Sequence, residues 1–339
     1  MKTTTVNPGN KKVQLEDVAL ALGLSKSTVS RAISGKGRIS TETRERVNEC
    51  IREMNYRPNM IAKSLSESRT YNVGVVIPMD SNDAEAPFFQ TCLTGIAREC
   101  AVRNYDAIII GTEKDDLSQL KRVVENRKVD GVIITRPLSD NSMETLLCEN
   151  GMPFVVIGRS MLNGAITVDS NHKDGCRELT SYLLISNQPE KIGLIMGNMD
   201  HTVNKSRYEG FESAFATVGA KPAIDMVYTG IESPLQFSKA VSALLKQEPR
   251  CIICGDDMIC MKLLAELNNL LTAIPEDIRV ASFYDSVHLD NYIPSVTSLI
   301  FDAGKLGAVS ASELIEMLDG NSGKNVMLDF QLLIRKSTM

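Results

Sequence analysis

Residues 25–38 read SKSTVSRAISGKGR, small hydroxyl side chains set among lysine and arginine on what the spacing predicts to be one short helix. Just before it, LEDVALAL (15–22) places Leu15, Val18, Ala19 and Leu22 at helical spacing and so gives a first helix one apolar face. Only Gly23 and Leu24 separate the two. Gly23 ends the first helix, because glycine takes the left-handed C-cap geometry without a Cβ clash. Ser25 is then a natural N-cap for the second, its hydroxyl able to accept an orphan amide bond. In the second helix Val29, Ala32 and Ile33 face inward, and Lys26, Ser27, Ser30 and Arg31 are left outside. Such a row of exposed donors suits a DNA groove, where Ser, Thr and Lys bind phosphates or base edges and Arg grips guanine with two bonds. A third helix is expected in STETRERVNECIREMNY (40–56), capped by Ser40 or Thr41, with Val47, Ile51 and Met54 packing back and Pro58 stopping it. Three short helices with a tight turn between the first two describe a helix-turn-helix domain. A small helical bundle that ignores DNA is the plainer alternative.

Charge is distributed in the same sense. Residues 1–70 hold 13 Lys+Arg against 7 Asp+Glu, a balance of +6, while the rest hold 24 against 35, a balance of −11. A basic segment on an acidic body implies that only the N-terminal part meets a polyanion, although a merely solvated basic face would look alike on charge alone. No apolar run approaches the ~18 residues that a membrane-spanning helix needs. The start, MKTTTVNPGNKK (1–12), has no apolar core; it reads as a disordered polar arm rather than an export signal. The eight cysteines fall mostly in apolar or helical segments and are expected as reduced, buried thiols of a cytoplasmic protein.

The segment VQLEDVALALGLSKSTVSRAISGKGRISTETRERVNECIREMNYRPNMIAKSLS (13–66) resembles the headpiece of the lactose/galactose repressor family of bacterial transcription regulators. The likeness lies in DVA, in TVSRAISG, in TRERV and in NYRPN with IAKSL, and it covers the whole segment. It implies that the second helix enters the major groove of double-stranded operator DNA. It also implies that PNMIAKSL (58–65) forms a hinge helix on the operator and wedges Leu65 into the minor groove, which is how apolar wedges kink a duplex. The DNA-binding set is therefore Leu15, Ser25, Lys26, Ser27, Thr28, Ser30, Arg31, Ser34, Arg38, Asn59, Ala62 and Leu65.

From Tyr71 onward the pattern becomes apolar runs alternating with amphipathic helices. NVGVVIP (72–78), DAIIIGT (106–112), DGVIITRP (130–137) and FVVIG (154–158) read as buried parallel strands, and KIGLIMG (191–197), MVYTG (226–230), CIICG (251–255) and RVASFY (279–284) form a second series. The expected fold class is α/β, with a three-helix headpiece and two doubly wound parallel-sheet lobes. The family resemblance likens these lobes to periplasmic binding proteins. It implies a disordered arm at 1–12, a DNA-binding domain at 13–57, a hinge and linker at 58–70, and an effector-binding and dimerisation domain at 71–339. Lobe one is expected at 71–168 and 299–326, and lobe two at 169–298 and 327–339.

Ligands of such sheets bind outside the carboxyl ends of the strands. There lie Arg136, Arg159, Asp256, Asp257 and Asp285, and the helix opening NKSRYEGF (204–211) adds Arg207. Arginines facing carboxylates could hold a polar ligand by paired bonds, or Arg136 and Arg159 could simply pair with acids across the lobe gap. The resemblance implies Arg207 as the effector-binding arginine and completes the set as Phe88, Arg136, Arg159, Arg207, Asp256, Tyr284 and Asp285. The chain departs from the family where CGDD (254–257) replaces the usual AND, putting Asp256 for asparagine. It departs again where SFYDS (282–286) replaces GFDD, putting Tyr284 for an aspartate that clasps sugar hydroxyls. Effector binding carries over; the effector's identity, expected to be a carbohydrate, is left open by those two changes.

Catalytic readings find little purchase. Cys251 and Cys254 have redox spacing but sit in a strand, three apart, facing opposite ways. His172, His201 and His288 are expected in unrelated loops without a ligand partner at helical spacing, so neither a metal nor another cofactor is expected. No phosphate-cradling repeat or nucleophile elbow is present. The expectation is a repressor, not an enzyme, working as a homodimer on a palindromic site. The alternative is a ligand-binding or enzymatic body with a DNA-binding arm serving another end; the linker RPNMIAKSLSESRT (57–70), in the family's form, favours the repressor.

Overall fold

The computed structural model describes residues 13–35, 37–56, 64–65, 67–79, 86–113 and 115–339. The chain divides into two compact units, Met1–Arg69 and Thr70–Met339. The expected arm at 1–12 lies outside the described residues, as do Pro58 and most of the expected hinge.

The first unit contains α1 (Leu15–Leu22), α2 (Lys26–Ser34) and α3 (Thr41–Glu53). Gly23 closes α1 at φ +65°, the left-handed conformation its missing Cβ permits. The Thr28 N–H donates to Ser25 Oγ at 3.1 Å and the Thr43 N–H to Ser40 Oγ at 3.2 Å, so Ser40 rather than Thr41 caps α3. Val18, Ala19, Val29, Ala32 and Val47 form the buried centre, with Ile33, Ile51 and Met54 packed around it. A core this small relies on its caps, each contributing about 1 kcal/mol.

The second unit is built on two six-stranded sheets. Sheet one comprises β1 (Asn72–Pro78), β2 (Asp106–Thr112), β3 (Gly131–Ile134), β4 (Phe154–Ile157), β5 (Ile166–Ser170) and β11 (Val326–Leu328), in the order β11-β5-β4-β3-β1-β2, all parallel. Sheet two comprises β6 (Ile192–Ile195), β7 (Val227–Tyr228), β8 (Cys251–Cys254), β9 (Arg279–Ser282), β10 (Thr297–Phe301) and β12 (Phe330–Leu333), in the order β12-β10-β9-β8-β6-β7. Its strands are parallel except β12, which runs antiparallel to β10.

Helices cover both faces of each sheet. In lobe one, α4 (Ala86–Val102) and α12 (Ala303–Leu318) pack on one face, and α5 (Ser118–Glu125) and α6 (Ser142–Glu149) on the other. In lobe two, α7 (His172–Ser186) and α8 (Thr202–Thr217) lie opposite α9 (Pro234–Leu245) and α10 (Asp257–Asn269); a single turn, α11 (Val287–Asp290), follows β9. Burial on both faces is why the central strands read as unbroken apolar runs. Cys251 packs on the α7–α8 side and Cys254 on the α9–α10 side, opposite faces as their spacing requires. Edge strand β2 is the exception to the expected burial: Ile109 is 55% exposed. Cys148 likewise departs from the expectation of burial, being exposed. No helix of the described residues is long and apolar enough to cross a membrane.

The lobe boundaries move. The expected breaks after 168, 298 and 326 fall inside strands, because ladder hydrogen bonding carries each strand further. Asp169 and Ser170 still pair with Met327 and Leu328 in sheet one, and Leu299–Phe301 pair with β12 in sheet two. The chain therefore crosses after Ser170, after Phe301 and after Leu328. Close packing of α4 on α12 depends on Gly95 and Gly307, where an added Cβ would lie 2.0 Å from Gly304 O and 2.2 Å from Cys92 O.

Candidate functional site

In the first unit, α2 presents Ser25 at its cap and then Lys26, Ser27, Ser30 and Arg31 to solvent, with Arg38 exposed beyond it. Thr28 is half-buried, sharing a hydroxyl hydrogen bond of 2.8 Å with Ser25. Lys26 pairs with Glu16 of α1, which ties the two helices together. Leu15 packs half-buried against the headpiece core, a scaffold position as much as a contact. Ser34 is the last residue of α2. Asn59 and Ala62 lie outside the described residues. Leu65 is helical and 85% exposed.

In the second unit the strand ends of the two lobes face each other and touch. The Ser139 N–H donates to Asp200 O at 3.1 Å, Arg159 pairs with Glu209 at 3.0 Å, and the Phe88 ring meets the Tyr284 ring edge-on at 6.1 Å. Three of the seven expected effector residues come together here: Phe88 from lobe one, Tyr284 and Arg207 from lobe two. The Tyr284 ring stacks on Phe301 (6.2 Å, 13°), and the Arg207 guanidinium sits 5.7 Å from its centroid. Arg207 is 7% exposed; its Nη1 donates to Gly255 O at 2.9 Å, and its buried Nε makes no hydrogen bond.

The other four are engaged elsewhere. Arg159 takes the cross-lobe pairing, with Lys173 joining it on Glu209. Asp256 caps α10, accepting from the Ile259 N–H at 2.8 Å. Asp285 is clasped by Arg335 (2.8 and 3.0 Å) and accepts the Ser298 hydroxyl, so both its oxygens are taken within lobe two. Arg136 lines a separate cavity of about 20 Å³ beside Val76, Thr112 and Leu138, room for one water rather than a saccharide.

The structure draws in three residues left out of the expected effector set, of which Asp257 stands among the strand-end acids and His172 is expected in a loop. Asp257, the second acid of CGDD, is 7% exposed and opens α10 just past β8; Asp169 is the penultimate residue of β5. Burial pushes each carboxyl up to about 6, with the Arg207 charge pulling back. His172 opens α7 rather than lying in a loop; it rests 4.1 Å from the Phe301 ring, and burial holds it well below the usual imidazole range. The one available signal was position: each of the three stands at or just after a strand end. Buried Ser170 Oγ, His172 Nδ1 and Thr202 Oγ1, like Arg207 Nε, form no hydrogen bond within the described residues. Buried polar atoms are normally satisfied, so a cluster of them at facing strand ends marks a polar binding site.

A raised folded pKa means that Asp257 favours the fold while protonated. That contribution is full below about 3.8 and is lost as pH rises through about 6. Asp257→Asn should therefore stabilise the protein relative to the parent by about 1.4 kcal/mol more at pH 7.5 than at pH 5. Melting curves of both proteins at the two pH values check this; an equal difference at both would contradict it.

Comparison with known proteins accords with this geometry. The sequence profile described as “Bacterial regulatory proteins, lacI family” matches residues 14–59, and that described as “Periplasmic binding proteins and sugar binding domain of LacI family” matches residues 70–334. The chain is 31% identical over 335 residues to the HTH-type transcriptional regulator MalR of Streptococcus pneumoniae, covering 96% of this chain and 98% of that one. It is 26% identical over 332 residues to the HTH-type transcriptional repressor PurR of Pasteurella multocida, covering 95% and 98%. In fold it is similar to a lac repressor dimer bound to operator and the anti-inducer ONPF (TM-score 0.78, 23% identity, 97% of this chain and 100% of that one). It is similar also to a complex of the transcriptional regulator CelR with cellobiose (TM-score 0.71, 24% identity, 96% and 100%).

Proposed function

The chain belongs to the lacI family of bacterial regulatory proteins, and from that premise we propose that it represses carbohydrate-utilisation genes, switched by a sugar or sugar derivative bound between its lobes. It acts by binding alone, without catalysis, in the cytoplasm. The observation that carries the effector reading is Arg207: a guanidinium buried at the facing strand ends, its Nε unbonded, beside an aromatic ring. A hydroxylated ring supplies what that arrangement lacks, acceptors for the arginine and an apolar face for Tyr284. The cellobiose and ONPF complexes of its structural relatives support the same class of ligand.

One headpiece touches few base pairs, so the DNA reading requires two acting on a two-fold, palindromic operator. A homodimer formed through the second unit would hold them at fixed spacing. An effector that favours another lobe arrangement then changes that spacing, and a coupling of ~1–3 kcal/mol suffices for a useful switch. A thermal-shift screen of sugars, sugar phosphates and nucleobases against the full-length protein tests the reading. A saccharide that raises the melting temperature and alters operator affinity supports it; binding by nucleobases alone contradicts it.

On the DNA side, Arg31→Ala should weaken operator binding by about 1–3 kcal/mol and relax base preference, the cost of losing a two-bond contact to a base edge. Leu65→Ala should reduce specific binding and spare non-specific, salt-sensitive binding. Fluorescence anisotropy with operator and random duplexes separates the two. Equal losses on both duplexes would remove the wedging role.

A further inference from the structure

The charges where the lobes meet do not balance. Arg207 forms no ion pair among the described residues, and neither do Asp169 and Asp257, although both acids feel its charge. Asp169 Oδ1 accepts only the Ser170 N–H, at 2.7 Å, and Asp257 lies beside the Ser286 hydroxyl. The neighbouring acids are already served: Asp256 by the start of α10, Asp285 by Arg335, and Glu209 by Arg159 and Lys173. Arg159 does act on Asp169, but from a half-exposed position and already shared with Glu209. One buried guanidinium thus faces two carboxylates.

A second observation points to a ligand at the same place. Thr202 Oγ1 and Ser170 Oγ, 2% and 1% exposed as residues, make no hydrogen bond, nor does Arg207 Nε. Thr202 lies against Gly158 of the opposite lobe, so its hydroxyl stands where the lobes meet. These are donors and acceptors for a hydroxylated molecule, with negative charge in excess around it.

We propose that the effector is a hydroxylated ring bearing a protonated amine, its ammonium drawn by the negative charge of Asp257 and Asp169 and its hydroxyls held by Arg207 and the unbonded hydroxyls beside it. The inference rests on the reading of this cleft as the effector site. An ammonium within about 4–6 Å supplies the positive charge the chain withholds. A phosphorylated or carboxylated sugar would instead set like charges together without water to screen them, which strongly disfavours it. The two carboxyls accord with this: burial raises each to about 6, and the Arg207 charge offsets that only in part.

The test is calorimetry on the full-length protein with matched sets: glucose, glucosamine and glucose 6-phosphate, then cellobiose and its diamino counterpart. The amine-bearing member of a set should bind at least about tenfold tighter than the neutral one, and the phosphate should not bind measurably. Titrations at pH 6 in buffers of differing ionisation enthalpy should show protons released, as the two acids ionise around the ammonium. Asp257→Asn, and separately Asp169→Asn, should bring amine and neutral ligands within about twofold while leaving neutral binding in place, with melting curves confirming a folded protein. Neutral or phosphorylated saccharides binding as tightly as the amines overturns the charge preference and leaves the effector site standing. Binding by no saccharide of any kind overturns both.

Discussion

Arg207→Ala should lower effector affinity by about 100-fold or more and leave operator affinity unchanged. Truncating one partner of a buried, charged hydrogen bond costs about 2–5 kcal/mol, and about 2.7 kcal/mol is a factor of 100. Arg207 lies in the second unit and α2, the helix proposed to read the operator, in the first, so the loss should fall on one function only. Arg207→Lys keeps the charge but not the planar fork, and should recover only part of the affinity. Calorimetry with a saccharide hit and anisotropy with operator read the two properties separately. Retention of effector binding within a few-fold would remove Arg207 from the site.

Removal of Arg335 should be the most destabilising single change in lobe two. Its guanidinium donates to Asp285, Ser298 Oγ and Val296 O and also pairs with Asp290; its side chain and that of Asp285 are each 12% exposed. Arg335→Met leaves a buried carboxylate without a cation, a loss of about 3–5 kcal/mol. Combining it with Asp285→Leu should recover most of that, because the unpaired charge goes with its partner. Urea denaturation of the parent, the single and the double variant measures it. A loss under about 1 kcal/mol for Arg335→Met would show the pair to be incidental. Asp285→Asn should move effector affinity by less than about twofold, since the acid serves Arg335.

The headpiece was legible because its determinants are local. Ser25, Gly23 and the spacing of Val18, Ala19 and Val29 act within a few residues, and capping and helical periodicity depend on nothing further away. The central strands of both lobes were legible for a related reason: burial on both faces leaves an unbroken apolar run. The strands at the lobe crossings were not, since ITVDS (166–170) and FQLL (330–333) are short and partly polar, and only their pairing with distant strands defines their ends. The site divides the same way. Arg207 could be found from its helix opening, and Tyr284 only through the family resemblance. That Asp285 belongs to Arg335, 50 residues on, and Arg159 to Glu209 of the other lobe are tertiary facts with no local mark. Between the adjacent acids of CGDD, the capping geometry decided: Asp256 turns to the Ile259 amide, and Asp257 is left buried.

Operator affinity measured as a function of effector concentration, for the parent and for Arg207→Ala, tests most directly whether the pocket between the lobes governs the DNA-binding helix. For the parent, a saturating saccharide hit should change the operator dissociation constant by about 5- to 150-fold, the span of ordinary allosteric coupling. For Arg207→Ala at the same concentration the constant should stay at its effector-free value. A ligand that binds the parent tightly yet leaves operator affinity unchanged would contradict the account.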